Sequence, residues 1–185
     1  MIRVAAAAAG LGAVAGGVLA LAAKGALTLD VGIGRTVRRL GPLVVEIDAP
    51  RDLVFEVLSA PYLRKLPRAL RRKLEVLERG SDMVLAAHFT PVAGTVATTL
   101  ETVRFEPPER ISFRLVRGPV PHVAEEFRLE ELGERTRFRY FGELGTDFWA
   151  LGRLWGNVVA KQWEAVVEES VASVRAECER RARRA

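Results

Sequence analysis

The sequence predicts an α+β fold in which a curved, seven-stranded antiparallel sheet wraps a long C-terminal helix. Two observations carry this: one long amphipathic run over residues 147–181, and a series of β-like runs before it joined by short turns. In the C-terminal run Trp155, Val159, Trp163, Val167, Val171, Val174 and Cys178 recur three or four residues apart. Leu151, Val158, Gln162, Val166 and Ser170 widen that stripe on one side. Arg153, Lys161, Glu164, Glu168, Arg175 and Glu179 occupy the opposite face, so the helix is expected to lie on the sheet with its charged side in water. A strongly curved sheet does not meet a helix everywhere, and an apolar cavity is expected between the two.

The 185 residues hold one ordinary domain plus an appendage. The organisation reads as an N-terminal transmembrane or signal-like segment over residues 1–24, a linker over 25–41 and a ligand-binding domain over 42–182. A net charge of +5 suggests an anionic partner or surface, yet 23 acidic residues are mixed among 28 basic ones. Residues 1–80 hold 13 Lys and Arg against 7 Asp and Glu, while 81–185 hold 15 against 16, so the excess lies on the N-terminal side. Cys178 is the single cysteine, which rules out an internal disulfide and a cysteine-based zinc cluster.

Residues 4–23 are uncharged, about the length of one membrane crossing, but ten of the twenty are Ala and four are Gly. The six Val and Leu contribute about −2 to −4 kcal/mol to insertion, which makes a marginal span. Three readings compete: a retained single-pass anchor, a signal peptide cut after Ala20-Leu21-Ala22, and a helix packed on the protein. Lys24, Arg35, Arg38 and Arg39 follow the run, and the positive-inside tendency then places the domain on the cytoplasmic side of a membrane; cleavage would instead give a secreted protein.

Gly25, Gly32, Gly34 and Gly41 punctuate the linker. Residues 43–48 read as a first strand. Ala49-Pro50-Arg51-Asp52 turns into a short helix with Leu53, Val54, Val57 and Leu58 as its apolar stripe, since proline suits an early helical position. A turn is expected at Ala60-Pro61, then a second short, irregular helix marked by Tyr62, Leu63, Leu66 and Leu70 and interrupted at Pro67. Residues 73–78, 83–90, 95–105, 110–117, 123–131 and 135–144 are the six further strands, separated by Gly- and Pro-containing turns that imply antiparallel neighbours. In the last three, apolar and aromatic side chains alternate with Arg and Glu, so one sheet face is greasy and the other charged.

This order of elements is the helix-grip arrangement, and two stretches carry a family resemblance. Ile47-Asp48-Ala49-Pro50-Arg51-Asp52-Leu53-Val54-Phe55 resembles the opening of START-like domains, the SRPBCC superfamily, where a strand ends in Ala-Pro and enters the first helix. Glu101-Thr102-Val103-Arg104-Phe105-Glu106-Pro107-Pro108-Glu109-Arg110-Ile111 is similar to the strand, double-proline turn and strand of bacterial polyketide cyclase, dehydrase or lipid-transport members. The likeness spans residues 43–181 and implies a hydrophobic ligand cavity.

Candidate lining residues are Phe105, Phe113, Phe127, Phe138, Tyr140, Trp155, Val159 and Trp163; the competing reading of each is that it fills a solid core. Glu125 shares strand parity with Phe127 and Leu129, and Glu101 with Val103 and Phe105. A carboxylate buried in a cavity is costly and therefore a functional candidate, unless a bulge slips the phase and turns both to water. With Tyr140 orienting a carbonyl, Glu125 would serve as general acid or base for aldol-type cyclisation or dehydration. His88 and His122 belong to no ligand cluster, no metal or other cofactor is indicated, and no nucleophile elbow or phosphate loop is present.

Arg64, Lys65, Arg68, Arg71, Arg72 and Lys73 interleave with leucines in a pattern that suits an anionic membrane surface or an ordinary solvated face. Nothing accompanies that charge to make a nucleic-acid site. The first reading is therefore a membrane-associated, non-catalytic domain that binds and possibly moves a hydrophobic small molecule or lipid. An enzyme of polyketide-cyclase type using Glu125 and Tyr140, and a non-catalytic interaction module of a membrane complex, are the alternatives.

Overall fold

The computed structural model describes residues 16–18, 20–64, 72–92 and 94–184. The elements run β1 (Thr36–Ile47), α1 (Arg51–Leu63), β2 (Leu74–Arg79), β3 (Met83–Val92), β4 (Thr95–Glu106), β5 (Arg110–Arg117), β6 (His122–Leu132), β7 (Arg135–Thr146) and α2 (Trp149–Ala182). The seven strands form one sheet in the order β1-β7-β6-β5-β4-β3-β2, with every pair antiparallel. Short turns dictate this order: each strand from β2 to β7 pairs with the next, and only β1 crosses to the far edge of β7.

Strand alternation builds the core. On β4 the side chains of Ala97, Thr99, Glu101, Val103 and Phe105 point inward, as do Ile111 and Phe113 on β5, Val123, Glu125 and Leu129 on β6, and Thr136, Phe138, Tyr140 and Leu144 on β7. Helix α2 covers this face with Val159, Ala160, Val167, Val171 and Cys178. Its charged residues Arg153, Lys161, Glu168 and Arg175 are exposed. The flank carrying Leu151 and Val158 is exposed too, so the widened stripe is not covered along its N-terminal turns.

Three local expectations are corrected. β1 begins at Thr36, inside the stretch read as linker, because residues 36–40 pair with residues 142–146 of β7 before an irregularity between Leu40 and Leu43. The turn expected at Ala60-Pro61 does not form, and α1 continues through Pro61 to Leu63. Proline there removes one hydrogen bond from the last turn, a smaller loss than in a helix centre, while Val54, Phe55 and Leu58 bury the helix against the core. Of the second short helix, residues 65–71 lie outside the described residues, and Arg72 sits in a short helical turn before β2. Finally α2 starts at Trp149, since Phe148 and Trp149 take left-handed backbone angles, φ 69° and 47°, that turn the chain out of β7.

The segment ahead of β1 is docked rather than free. Thr28 Oγ1 bonds both the carbonyl and the amide of Gly118 at 2.8 Å, and Thr98 donates its amide to Lys24 at 2.9 Å. Gly25 lies at φ +68° with the position a Cβ would take only 1.8 Å from the Thr98 carbonyl oxygen, so no other residue fits. Among the described residues no helix is long and apolar enough to cross a membrane; most of the uncharged run over residues 4–23 lies outside them.

Candidate active site

Between the sheet and α2 lies a cavity of about 280 Å³. Phe113, Phe127, Trp155, Val159 and Trp163 line it. Phe105, Phe138 and Tyr140 are buried among the core residues and are not part of its wall. Phe113 meets Phe127 at 4.7 Å between ring centroids, and Phe127 meets Phe138 at 5.1 Å and Tyr140 at 5.8 Å, so the two lining rings rest on an aromatic layer in the core behind them.

Both inward glutamates face this space. Glu101 is 5% exposed and Glu125 8%. The register step between Leu100 and Glu101 is taken up on β5, where Leu115 and Arg117 pair with them and Val116 is extra, so the alternation of β4 itself is unbroken. On β6 the register is continuous through Glu125, whose partner across β7 is Gly142. A Cβ at 142 would come within 2.7 Å of the Ala124 carbonyl oxygen and 3.0 Å of Glu125 Cγ, which explains the glycine. Gly142→Ala is expected to cost about 1–3 kcal/mol and to displace the carboxyl, as thermal unfolding and a shifted Glu125 titration would show.

Two polar groups meet in the greasy hollow. In the first, Glu125 Oε1 accepts from Tyr140 Oη at 2.6 Å and from Trp163 Nε1 at 2.8 Å. Both donors converge on one oxygen, and Oε2 has no hydrogen-bond partner among the described residues. Burial and, next, the charge of Glu101 push the Glu125 carboxyl up to about 7, against the two hydrogen bonds that favour its ionised form. In the second, Glu101 Oε1 accepts from Thr99 at 2.6 Å and Oε2 lies 3.1 Å from His88 Nδ1, while His88 Nε2 lies 3.1 Å from Tyr62 Oη. Burial opposes the imidazolium, but the adjacent Glu101 outweighs it and raises the His88 pKa. Burial likewise opposes the Glu101 carboxylate, but His88, followed by Thr99, outweighs it and lowers the carboxyl below its ordinary range. Both shifts favour an imidazolium–carboxylate pair, beside a Glu125 carboxyl that burial raises.

A profile described as polyketide cyclase / dehydrase and lipid transport matches residues 43–179, from β1 nearly to the end of α2. The chain belongs to that family. Among solved structures, the Zhui aromatase/cyclase from Streptomyces sp. R1128 is 29% identical, with a TM-score of 0.60 over 79% of this chain and 96% of that one. A START superfamily protein from Mycobacterium smegmatis shares the fold at 14% identity and a TM-score of 0.57, over 77% of this chain and 99% of that one. Norcoclaurine synthase from Thalictrum flavum shares it at 13% identity and 0.60, over 78% and 87%. No curated protein sequence is significantly similar to the chain.

In this polyketide cyclase / dehydrase and lipid transport member, the sequence reading missed Tyr62, His88, Thr99 and Gln162, all of which line the cavity. His88 shares parity with Val84 and Ala86 on β3, a signal that was available. Tyr62 had none, because it lies just past a proline where helix phase is unreadable. Of the basic cluster, Arg64, Arg72 and Lys73 are exposed and Arg64 pairs with Glu56 at 3.0 Å; Lys65, Arg68 and Arg71 lie outside the described residues. Among the described residues no three His, Cys, Asp or Glu side chains gather as metal ligands.

Proposed function

We propose that the protein binds a compact, mostly apolar carbonyl compound between sheet and α2 and transfers a proton next to its carbonyl, the step common to aldol cyclisation and dehydration. The observation that carries this is the meeting, in one apolar cavity, of a Glu125 carboxyl whose Oε2 is left open by its two hydrogen-bond donors and a hydrogen-bonded Tyr62–His88–Glu101 chain. The carboxyl can serve as base and the Tyr62 hydroxyl at the end of the chain as hydrogen-bond donor, so the two roles fall to separate groups. A purely apolar carrier has no use for them, and this moves the reading from carrier towards enzyme.

The roles follow from the hydrogen bonds. Glu125 as carboxylate takes the α-proton of the substrate on Oε2, the oxygen that Tyr140 and Trp163 leave open. Its pKa near neutral pH suits a base. When His88 is charged, Nδ1–H is held by Glu101 and Nε2–H donates to Tyr62 Oη, which frees the Tyr62 hydroxyl proton for the substrate's carbonyl oxygen. The enolate carbon then attacks a second carbonyl of the same molecule and protonated Glu125 returns its proton to the new alkoxide; for dehydration Glu125 takes the second α-proton and delivers it to the hydroxyl, which leaves as water. Tyr140 acts on Glu125, not on the substrate. A volume of about 280 Å³, just under the about 300–1,000 Å³ usual for such sites, supports a compact molecule over a two-chain lipid.

The test uses a water-soluble 1,3,5-triketone and follows its cyclisation by ultraviolet absorbance. Glu125→Gln is expected to lower turnover by about 10²-fold while leaving binding, read from Trp163 emission, within a few-fold. Binding with no turnover in the unaltered protein would return the reading to a carrier. The reading also holds the domain at a membrane, on the cytoplasmic side, supported by the uncharged run over residues 4–23 and the cations that follow it.

A further inference from the structure

We infer that the exposed apolar shelf formed by the first turns of α2 and the strap before β1 seats on an anionic lipid surface and turns the cavity mouth towards it. This rests on the proposed apolar ligand only for what the mouth would receive.

Leu151, Leu154 and Trp149 are 71%, 67% and 62% exposed, and Phe148, Val31 and Ile33 are exposed beside them. These residues form one surface because the strap is tied to the helix start. Asp147 accepts from the amides of Val31 and Gly32, Phe148 donates its amide to Ile33 and Trp149 to Gly34. Gly34 lies directly against the Trp149 indole. A contiguous patch of this kind on an otherwise charged protein marks an interaction site.

The mouth adjoins the shelf. Val158, Gln162 and Ser170 line the cavity and are exposed to solvent, so the opening runs along the same flank of α2 that carries Leu151 and Leu154. Ala23, at the end of the uncharged run, lines the cavity as well, so the chain enters the domain from the side of the mouth.

Charge chooses the occupant. Lys24, beside the lining residue Ala23, Arg117, just before the Gly118 that Thr28 of the strap bonds, and Lys161, two turns along α2 from Leu154, are exposed and make no ion pair among the described residues. Two copies meeting here would bring these cations together, whereas anionic headgroups neutralise them while the indole and leucines sit at the acyl boundary. Trp at such a depth is the usual interfacial residue.

The full-length chain is mixed with phosphatidylcholine vesicles containing phosphatidylglycerol and lipids brominated near the headgroup, and tryptophan emission is recorded. The expected result is quenching that is largely lost in Trp149→Phe and in the double variant Leu151→Asp/Leu154→Asp, and reduced by salt. Circular dichroism of each variant confirms that it is folded. Vesicle-bound protein without quenching, equal quenching in Trp149→Phe, absence of any vesicle binding, or burial of Trp149 that tracks protein concentration instead of lipid would each overturn the inference. The triketone assay contains no vesicles, so loss of docking and loss of catalysis are separable.

Discussion

Asp147→Ala is expected to destabilise the protein by about 3 kcal/mol at pH 7, because the carboxylate is the knot between the strap and the sheet–helix junction. It is buried and accepts four hydrogen bonds: from the Val31 amide at 2.7 Å, the Gly32 amide at 2.8 Å, and Arg35 Nε and Nη2 at 2.7 and 3.1 Å. Removing it leaves two amides and a guanidinium without their acceptor. The bond from Arg35, aided by the two amides, holds the carboxyl down to about 2 against the opposing effect of burial. A depressed carboxylate contributes stability that is present above its ordinary value of 3.8 and lost as pH falls through about 2, here about 2 kcal/mol. Asp147→Ala should therefore show a flatter acid limb as well as a lower midpoint in urea. A loss below about 0.5 kcal/mol would mean that the backbone bonds from Phe148 and Trp149 hold the strap unaided.

How much of this was legible depended on whether a residue's neighbours in sequence are also its neighbours in space. The strands after residue 73 were readable because period-2 alternation needs only local sequence, and the long helix because its stripe runs over many turns. The inward placement of Glu101 and Glu125 followed from the same parity. Their partners did not: Tyr140 reaches Glu125 from β7, Trp163 from α2, and His88 reaches Glu101 from β3, all set by tertiary pairing. The β1 start and the docking of the strap were hidden for the same reason, since glycines at 25, 32 and 34 look like a linker until Thr98, Asp147 and Trp149 are brought against them. Helix periodicity also promised a wider buried stripe than the sheet can cover, and the uncovered part became the shelf.

Stability should fall by about 3 kcal/mol as pH rises from 4.5 to above 7, and Glu125→Gln should remove that fall. A buried acid raised from 4.5 to about 7 binds its proton more tightly in the folded chain than in the unfolded one. The folded state is thus favoured fully below 4.5 and loses that advantage as pH climbs through about 7. The groups that face Glu125 come from every surrounding element: Tyr62 from α1, His88 from β3, Glu101 from β4, Tyr140 from β7 and Trp163 from α2. Of these, His88 has a raised pKa and adds a loss of the same sign above its ordinary value of 6.5, which Glu125→Gln leaves in place; Glu101 is lowered and acts only on the acid side of 4.5. Glutamine keeps an oxygen for Tyr140 and Trp163 to bond and never ionises. The variant and the parent should thus agree below about pH 4 and diverge by about 3 kcal/mol at pH 8, with the variant the more stable, in guanidinium melts followed by far-ultraviolet circular dichroism. Parallel curves would show that Glu125 is already ionised and solvated in the folded chain, and the base assignment would fall with the slope. A leucine in place of Glu125 would pack without that cost, so the pH at which the carboxyl begins to weaken the fold is also the pH at which the proposed base becomes available.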